Sequence, residues 1–145
     1  MSTDDHDGRW FEPALLQQLP AEECRELLAA KSVGRVGFTG SDGPQILPVN
    51  YVVYLGDIFF RTAAEGALSD AMHASRVAFE VDDIDEFMQR GWSVLAIGDA
   101  ELVDDPDLLA ELAGDQGPKP WAVGTRTRFV RIRMSRLTGR RVLPR

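Results

Sequence analysis

Ile46-Leu-Pro-Val-Asn-Tyr-Val-Val-Tyr-Leu-Gly-Asp-Ile-Phe-Phe-Arg-Thr62 decides how the rest of this 145-residue chain is read. It describes two β-strands joined by a tight Leu55-Gly56-Asp57 turn. The first is dense in Val, Ile and Tyr, whose branched or flat side chains suit a pleated surface, and the second, Ile58-Phe59-Phe60, stops at Arg61-Thr62. Pro48 has no N–H to give to a ladder, so its part of the strand belongs at an edge, a strand start or a bulge. Asn50 interrupts an apolar run, and if buried it needs partners for its donors and its acceptor. These two residues fit an irregular edge strand. They fit equally a stretch, Pro48–Tyr51, whose backbone the sheet leaves open to face a planar ligand.

Downstream, Thr62-Ala63-Ala64-Glu65 has the Thr-x-x-Glu form of a capping box, which predicts a helix from Ala63 through Leu68 and Met72 to Ala74. Arg61 and the Thr62 hydroxyl then stand at a helix N-terminus, where free N–H groups and the helix dipole favour an anion. A guanidinium adds a bidentate phosphate donor there. Seen alone, the segment reads as readily as an ordinary cap beside a solvated arginine.

Pro48-Val-Asn-Tyr-Val-Val, a turn, then Phe59-Phe-Arg-Thr62 resembles the pyridoxamine 5′-phosphate oxidase-like flavoproteins. Val33-Gly-Arg-Val-Gly-Phe38, Val77-Ala-Phe-Glu-Val-Asp82, Gly91-Trp-Ser-Val-Leu95, Pro120-Trp-Ala-Val-Gly-Thr-Arg126 and Leu137-Thr-Gly-Arg-Arg141 agree in order and spacing, so the resemblance runs from about residue 20 to 142. It implies a mainly β fold, a split β-barrel of FMN-binding type with a few short helices. It also implies FMN as cofactor, with a deazaflavin as the alternative, and a homodimer acting on a small-molecule substrate. In such proteins the flavin lies against the strand matching Pro48, Val49, Asn50 and Tyr51, and its phosphate is held at positions matching Arg61 and Thr62, in front of Leu68. Trp92 and Ser93 match the facing part of the dimer cleft, and Trp121 and Arg126 match the substrate side. One departure stands out. Where many relatives have Gly-Thr-Lys-Leu, this chain has Glu65-Gly66-Ala67-Leu68, without the phosphate lysine. The resemblance implies a flavin-dependent oxidoreductase, a deazaflavin-dependent reductase, or a flavin-binding sensor without turnover. It names neither a substrate nor a catalytic residue.

The length suits one domain with a proper core, expected over 14–145 behind a flexible segment 1–13 that carries Trp10 and Phe11. No apolar run reaches the roughly 20 residues that cross a bilayer, and the polar, acidic start is unlike a signal peptide. A lone Cys24 among Glu22, Glu23 and Glu26 excludes an internal disulfide, suits the cytoplasm and disfavours a reactive thiolate. His6 and His73 have no second ligand at metal-binding spacing, so no metal is expected. The net charge is −7, yet from Gln116 onward there are nine basic residues and no acid. Those arginines lie on strand-like sequence that can pair with the acidic remainder, so nucleic acid is not expected as a partner.

Around the central hairpin the chain reads as a helix from Pro20 to Ala30, a strand Val33–Thr39 and a half-buried strand Val77–Val81. A loop over Asp83–Gly91 leads to a long strand Trp92–Val103 with a bulge at Gly98. Asp105-Pro106 starts a helix to Ala113, and two last strands cover Thr127–Met134 and Leu137–Val142. On the first of these, Arg126 and Arg128 share the face of Val130, Ile132 and Met134, which would start an inward row at the barrel mouth. Read instead with the strand starting at Phe129, both arginines are solvated.

Overall fold

The computed structural model describes residues 16–63, 66–72, 75–119 and 128–143. Among the described residues, seven strands and three short helices follow in the order β1 (Leu16–Gln18), α1 (Ala21–Ala29), β2 (Val33–Gly40), β3 (Gly43–Tyr54), β4 (Asp57–Thr62), α2 (Ala67–Ala71), β5 (Ser75–Asp85), β6 (Arg90–Leu102), α3 (Pro106–Ala113) and β7 (Arg128–Val142). The pairing order β7-β4-β3-β2-β5-β6 returns to β7 through a β6–β7 ladder, so six antiparallel strands close on themselves and β1 adds to the β7 edge. Closure leaves few bare edges, which is how a small all-antiparallel sheet avoids pairing with other chains.

Alternation puts one side of each strand inside. Val36 and Phe38 of β2, Tyr51 of β3, Ile58 and Phe60 of β4, Phe79 and Val81 of β5, Val94 of β6 and Val130 and Ile132 of β7 form one buried cluster. Each large side chain of this kind contributes ~1.5–3 kcal/mol by leaving water. α1 packs Cys24 and Leu28 against that cluster, and the Tyr51 hydroxyl donates to the Leu28 carbonyl. α3 covers part of the outside instead, burying Leu112 against Phe59 and Phe129. Asp105 caps α3 by accepting from the Asp107 N–H at 3.0 Å, as its Asp-Pro start requires. The β3–β4 turn is Leu55-Gly56, both at positive φ (54° and 79°), the two-residue form that matches strand twist.

Several expectations are corrected. Thr62 does not cap a helix: it is the last residue of β4, paired with Arg128, and α2 begins only at Ala67. The β4–β7 ladder holds Thr62 extended, and Gly66 at φ 126° cannot belong to a right-handed helix. The loop expected over Asp83–Gly91 is mostly ladder, with Asp83↔Trp92, Ile84↔Gly91 and Asp85↔Arg90 leaving only residues 86–89 as the turn. The two final strands are one. The register against β6 does slip at Ile97/Gly98, but Ser135 of β7 is the extra residue. Gly98 lets the strands close there, since a Cβ on it would lie 2.1 Å from the Arg133 carbonyl oxygen. The expected flexible segment 1–13 lies outside the described residues.

Candidate functional site

β4 is much shorter than β3, and this mismatch makes the site. The β3–β4 ladder ends at Tyr51↔Phe60, so β3 from Gly43 to Val49 pairs with β2 alone. Tyr51 donates its N–H toward β2, to the Ser32 carbonyl at 3.0 Å. Alternate residues of a strand point their N–H to the same side, so the Pro48 nitrogen faces the side away from β2. Proline therefore costs no ladder bond, and of the edge, strand start or bulge open to Pro48 the structure has the edge. Pro48 is exposed and Val49 half-buried, and the half-buried Asn50 gives its side-chain amide to the Ser32 carbonyl at 3.5 Å. The Tyr51 ring is in the core, edge-on to Phe79, and burial pushes its phenol pKa up, so only its backbone borders the edge.

At the end of β4, Arg61 and Thr62 point to opposite faces. Thr62 follows Phe60 and Ile58 inward and is 6% exposed. Arg61 follows Phe59 outward, and its guanidinium lies 4.9 Å from the centre of the Phe129 ring. Its Nε is buried and has no hydrogen-bond partner among the described residues. A buried donor left unmade costs ~1–3 kcal/mol, more when charged, so this arginine is suited to accept an anion. Leu68, on α2, is half-buried against the main core.

Trp92 and Ser93 sit on β6, the strand diametrically opposite β3: two strands intervene whichever way the barrel is followed. At about 4.8 Å per strand this is ~14 Å of wall. Trp92 is half-buried, with the Lys31 ammonium 5.9 Å from its ring centre, and it borders a cavity of about 430 Å³ with Arg90 and Arg141. Ser93 faces outward. Within the chain the two sets are thus not brought together. Trp121 and Arg126 lie outside the described residues. Arg128 of the expected inward row is exposed, whereas Val130 and Ile132 are buried, because the row leaves the barrel at its mouth.

What sequence reasoning missed is the wall between the two sets. Pro48, Arg35, Glu80, Leu95 and Thr138 form one cross-strand row on the outer face of β3, β2, β5, β6 and β7, and Asp82, Ser93 and Arg140 form part of the next. Arg35 Nη1 bridges Glu80 Oε1 at 2.9 Å and Asp82 Oδ2 at 3.2 Å. Burial, and then the carboxylate of Asp82 beside it, raise Glu80 from its ordinary 4.5 to about 7, against the pull of Arg35. The signal is the other half of the Val77–Asp82 alternation, where Glu80 and Asp82 share the face opposite Val77, Phe79 and Val81. A groove of about 500 Å³ bordered by Glu80, Ser93, Leu95 and Arg140 runs along this wall. Among the described residues, no group of His, Cys, Asp and Glu is placed to hold a metal, and no helix is long and apolar enough to cross a membrane.

A closed antiparallel barrel with one bare inner edge is the flavin-binding split barrel. The family model described as pyridoxamine 5′-phosphate oxidase matches residues 20–141, and the chain belongs to that family. An uncharacterized protein of Mycobacterium tuberculosis is 34% identical over 131 residues, covering 87% of this chain and 85% of that one. Among solved structures, an FAD binding protein from Mycobacterium smegmatis is 35% identical with a TM-score of 0.74, covering 87% of this chain and 98% of its own. A FAD-binding protein from Mesorhizobium loti, 24% identical with a TM-score of 0.69 over 89% of this chain and 99% of its own, shares the fold.

Proposed function

We propose that this protein is a flavin-nucleotide-dependent oxidoreductase of the cytoplasm, working as a homodimer on a small molecule, with FMN as cofactor. The observation that carries the reading is the buried Nε of Arg61, without a hydrogen-bond partner among the described residues, on the first residue of β4 past the point where its ladder with β3 ends. When bound, the flavin supplies the hydride chemistry, and the protein binds, orients and shields it. Pro48 and Val49 offer the edge for the ring, while Arg61 and Thr62 flank the phosphate beyond the end of β4.

What supports the dimer is the separation of β3 and β6. The wall has β2 and β5 at its middle, so a two-fold axis along the strands between them sets β3 of one copy over β6 of the other. A cleft with Pro48 on one side and the partner's Ser93 on the other then forms twice. The exposed Ile46 and Leu95 on this wall favour its being covered.

FAD is the second reading, favoured by the 35% identical FAD binding protein from Mycobacterium smegmatis. A deazaflavin cofactor, or flavin binding without turnover, would be recognised by the same experiment. The absorbance spectrum of the purified protein is recorded, its bound molecule is released by denaturation and weighed by mass spectrometry, and reduction by ordinary donors is followed. FMN that reduces and reoxidises is the expected result. Failure to bind any flavin nucleotide, on purification or on titration, overturns the reading.

A further inference from the structure

We propose that Arg128 supplies the second phosphate cation of this site, in the role for which Ala67 offers no charge. The inference rests on the reading above that the site takes a phosphorylated flavin.

β7 pairs with β4 to its last residue, and the final pair is Thr62↔Arg128. Side chains of directly paired residues leave the same face with Cβ atoms ~4.5–5.5 Å apart. Arg128 therefore starts beside the Thr62 hydroxyl, on the face that Arg61 does not use. Thr62 is buried and Arg128 exposed, so the pair marks the line where the inner face of the wall opens to solvent. An anion beyond the strand end meets Thr62 and Arg128 from one side and Arg61 from the other. Two guanidinia on opposite faces can then clamp one phosphate, each through charge-assisted hydrogen bonds.

The other β7 arginines show why this one is available. Arg131 is paired with Asp57 at 2.8 Å, Arg133 with Glu101 at 2.6 Å and Arg141 with Glu23 at 2.8 Å. Arg128 has no ion pair among the described residues. Arg136 and Arg140 border the outer groove, on the wall face away from the barrel interior. An arginine on the neighbouring strand can reach that anion without any charge at Ala67.

The test is titration of the full-length protein with FMN and with riboflavin, which lacks the phosphate, for the wild type, Arg128→Gln and Arg128→Lys. Arg128→Gln should weaken FMN about tenfold to a hundredfold and riboflavin less than about threefold. Arg128→Lys should recover part of the loss, and added salt should narrow the gap between wild type and Arg128→Gln. Equal losses for both ligands would overturn the proposal by making Arg128 a general support of the fold, and no loss for either would overturn it outright. A wild type that binds FMN no better than riboflavin would instead overturn the phosphate site itself, and this proposal with it.

Discussion

Arg61 is the residue at which cost and use meet. Its guanidinium lies against Phe129 with one donor buried and unmet, an arrangement that costs stability until an anion arrives. Arg61→Ala should therefore weaken FMN by ~1.5–3 kcal/mol while the thermal midpoint without ligand stays level or rises. Calorimetry with and without FMN checks both halves, and unchanged affinity would leave Arg61 a surface residue. Glu80 makes a second prediction, of pH dependence. Its folded pKa is raised above that of the unfolded chain, so the fold holds the extra proton between pH 4.5 and about 7. Stability from this group is complete below that window and is lost as pH rises through it. Glu80→Gln, which has no proton to lose, should gain on the wild type as pH rises from 4.5 to 7, in urea melts at fixed salt. A constant difference across that range would show Glu80 titrating as in the unfolded chain.

The hairpin β3–β4 was legible as an element and its ends were not. Alternation and a two-residue turn are local properties, so Tyr51–Tyr54 and Asp57–Phe60 could be read from the chain alone. Whether Thr62 caps a helix or ends a strand depends on β7, which lies over sixty residues away and takes the pair Thr62↔Arg128. A local capping pattern loses to a ladder that the sequence does not display. The same holds at Asp83–Gly91, where polar residues resemble a loop but pair across β5 and β6. Asp57 ties the hairpin to the barrel: its carboxylate takes Arg131 at 2.8 Å and the Met134 N–H at 3.2 Å, with both side chains mostly buried. Asp57→Ala leaves Arg131 without its partner and should cost ~3 kcal/mol. Urea unfolding measures it, and a loss below about 1 kcal/mol would reduce the pair to the worth of a surface bridge. At the turn, Leu55 is 64% exposed at φ 54°, a conformation that Asn adopts far more readily. Leu55→Asn should therefore stabilise by ~1 kcal/mol, with a higher urea midpoint and an unchanged slope.

On the scale of the whole molecule, the barrel could be inferred from several short strands with few helices. The site could be inferred only as two lists, Pro48 to Thr62 and Trp92 with Ser93. That they fall on opposite strands is a matter of pairing order, which composition and periodicity do not contain. The separation makes the central claim, a flavin cleft shared between two copies, open to a subunit-mixing experiment. In a shared cleft, Arg61→Ala would impair the β4 half of every site and Ser93→Trp, a bulky group on the outward face of β6, the β6 half. A mixed dimer then has one cleft with both defects and one with neither. After equal amounts of the two variants are dissociated and reassembled at random, about one quarter of all clefts should regain wild-type affinity for FMN. Fluorescence titration counts these sites against a background of weak ones. No regained high-affinity sites after reassembly, although each variant alone binds FMN weakly, would contradict the shared cleft.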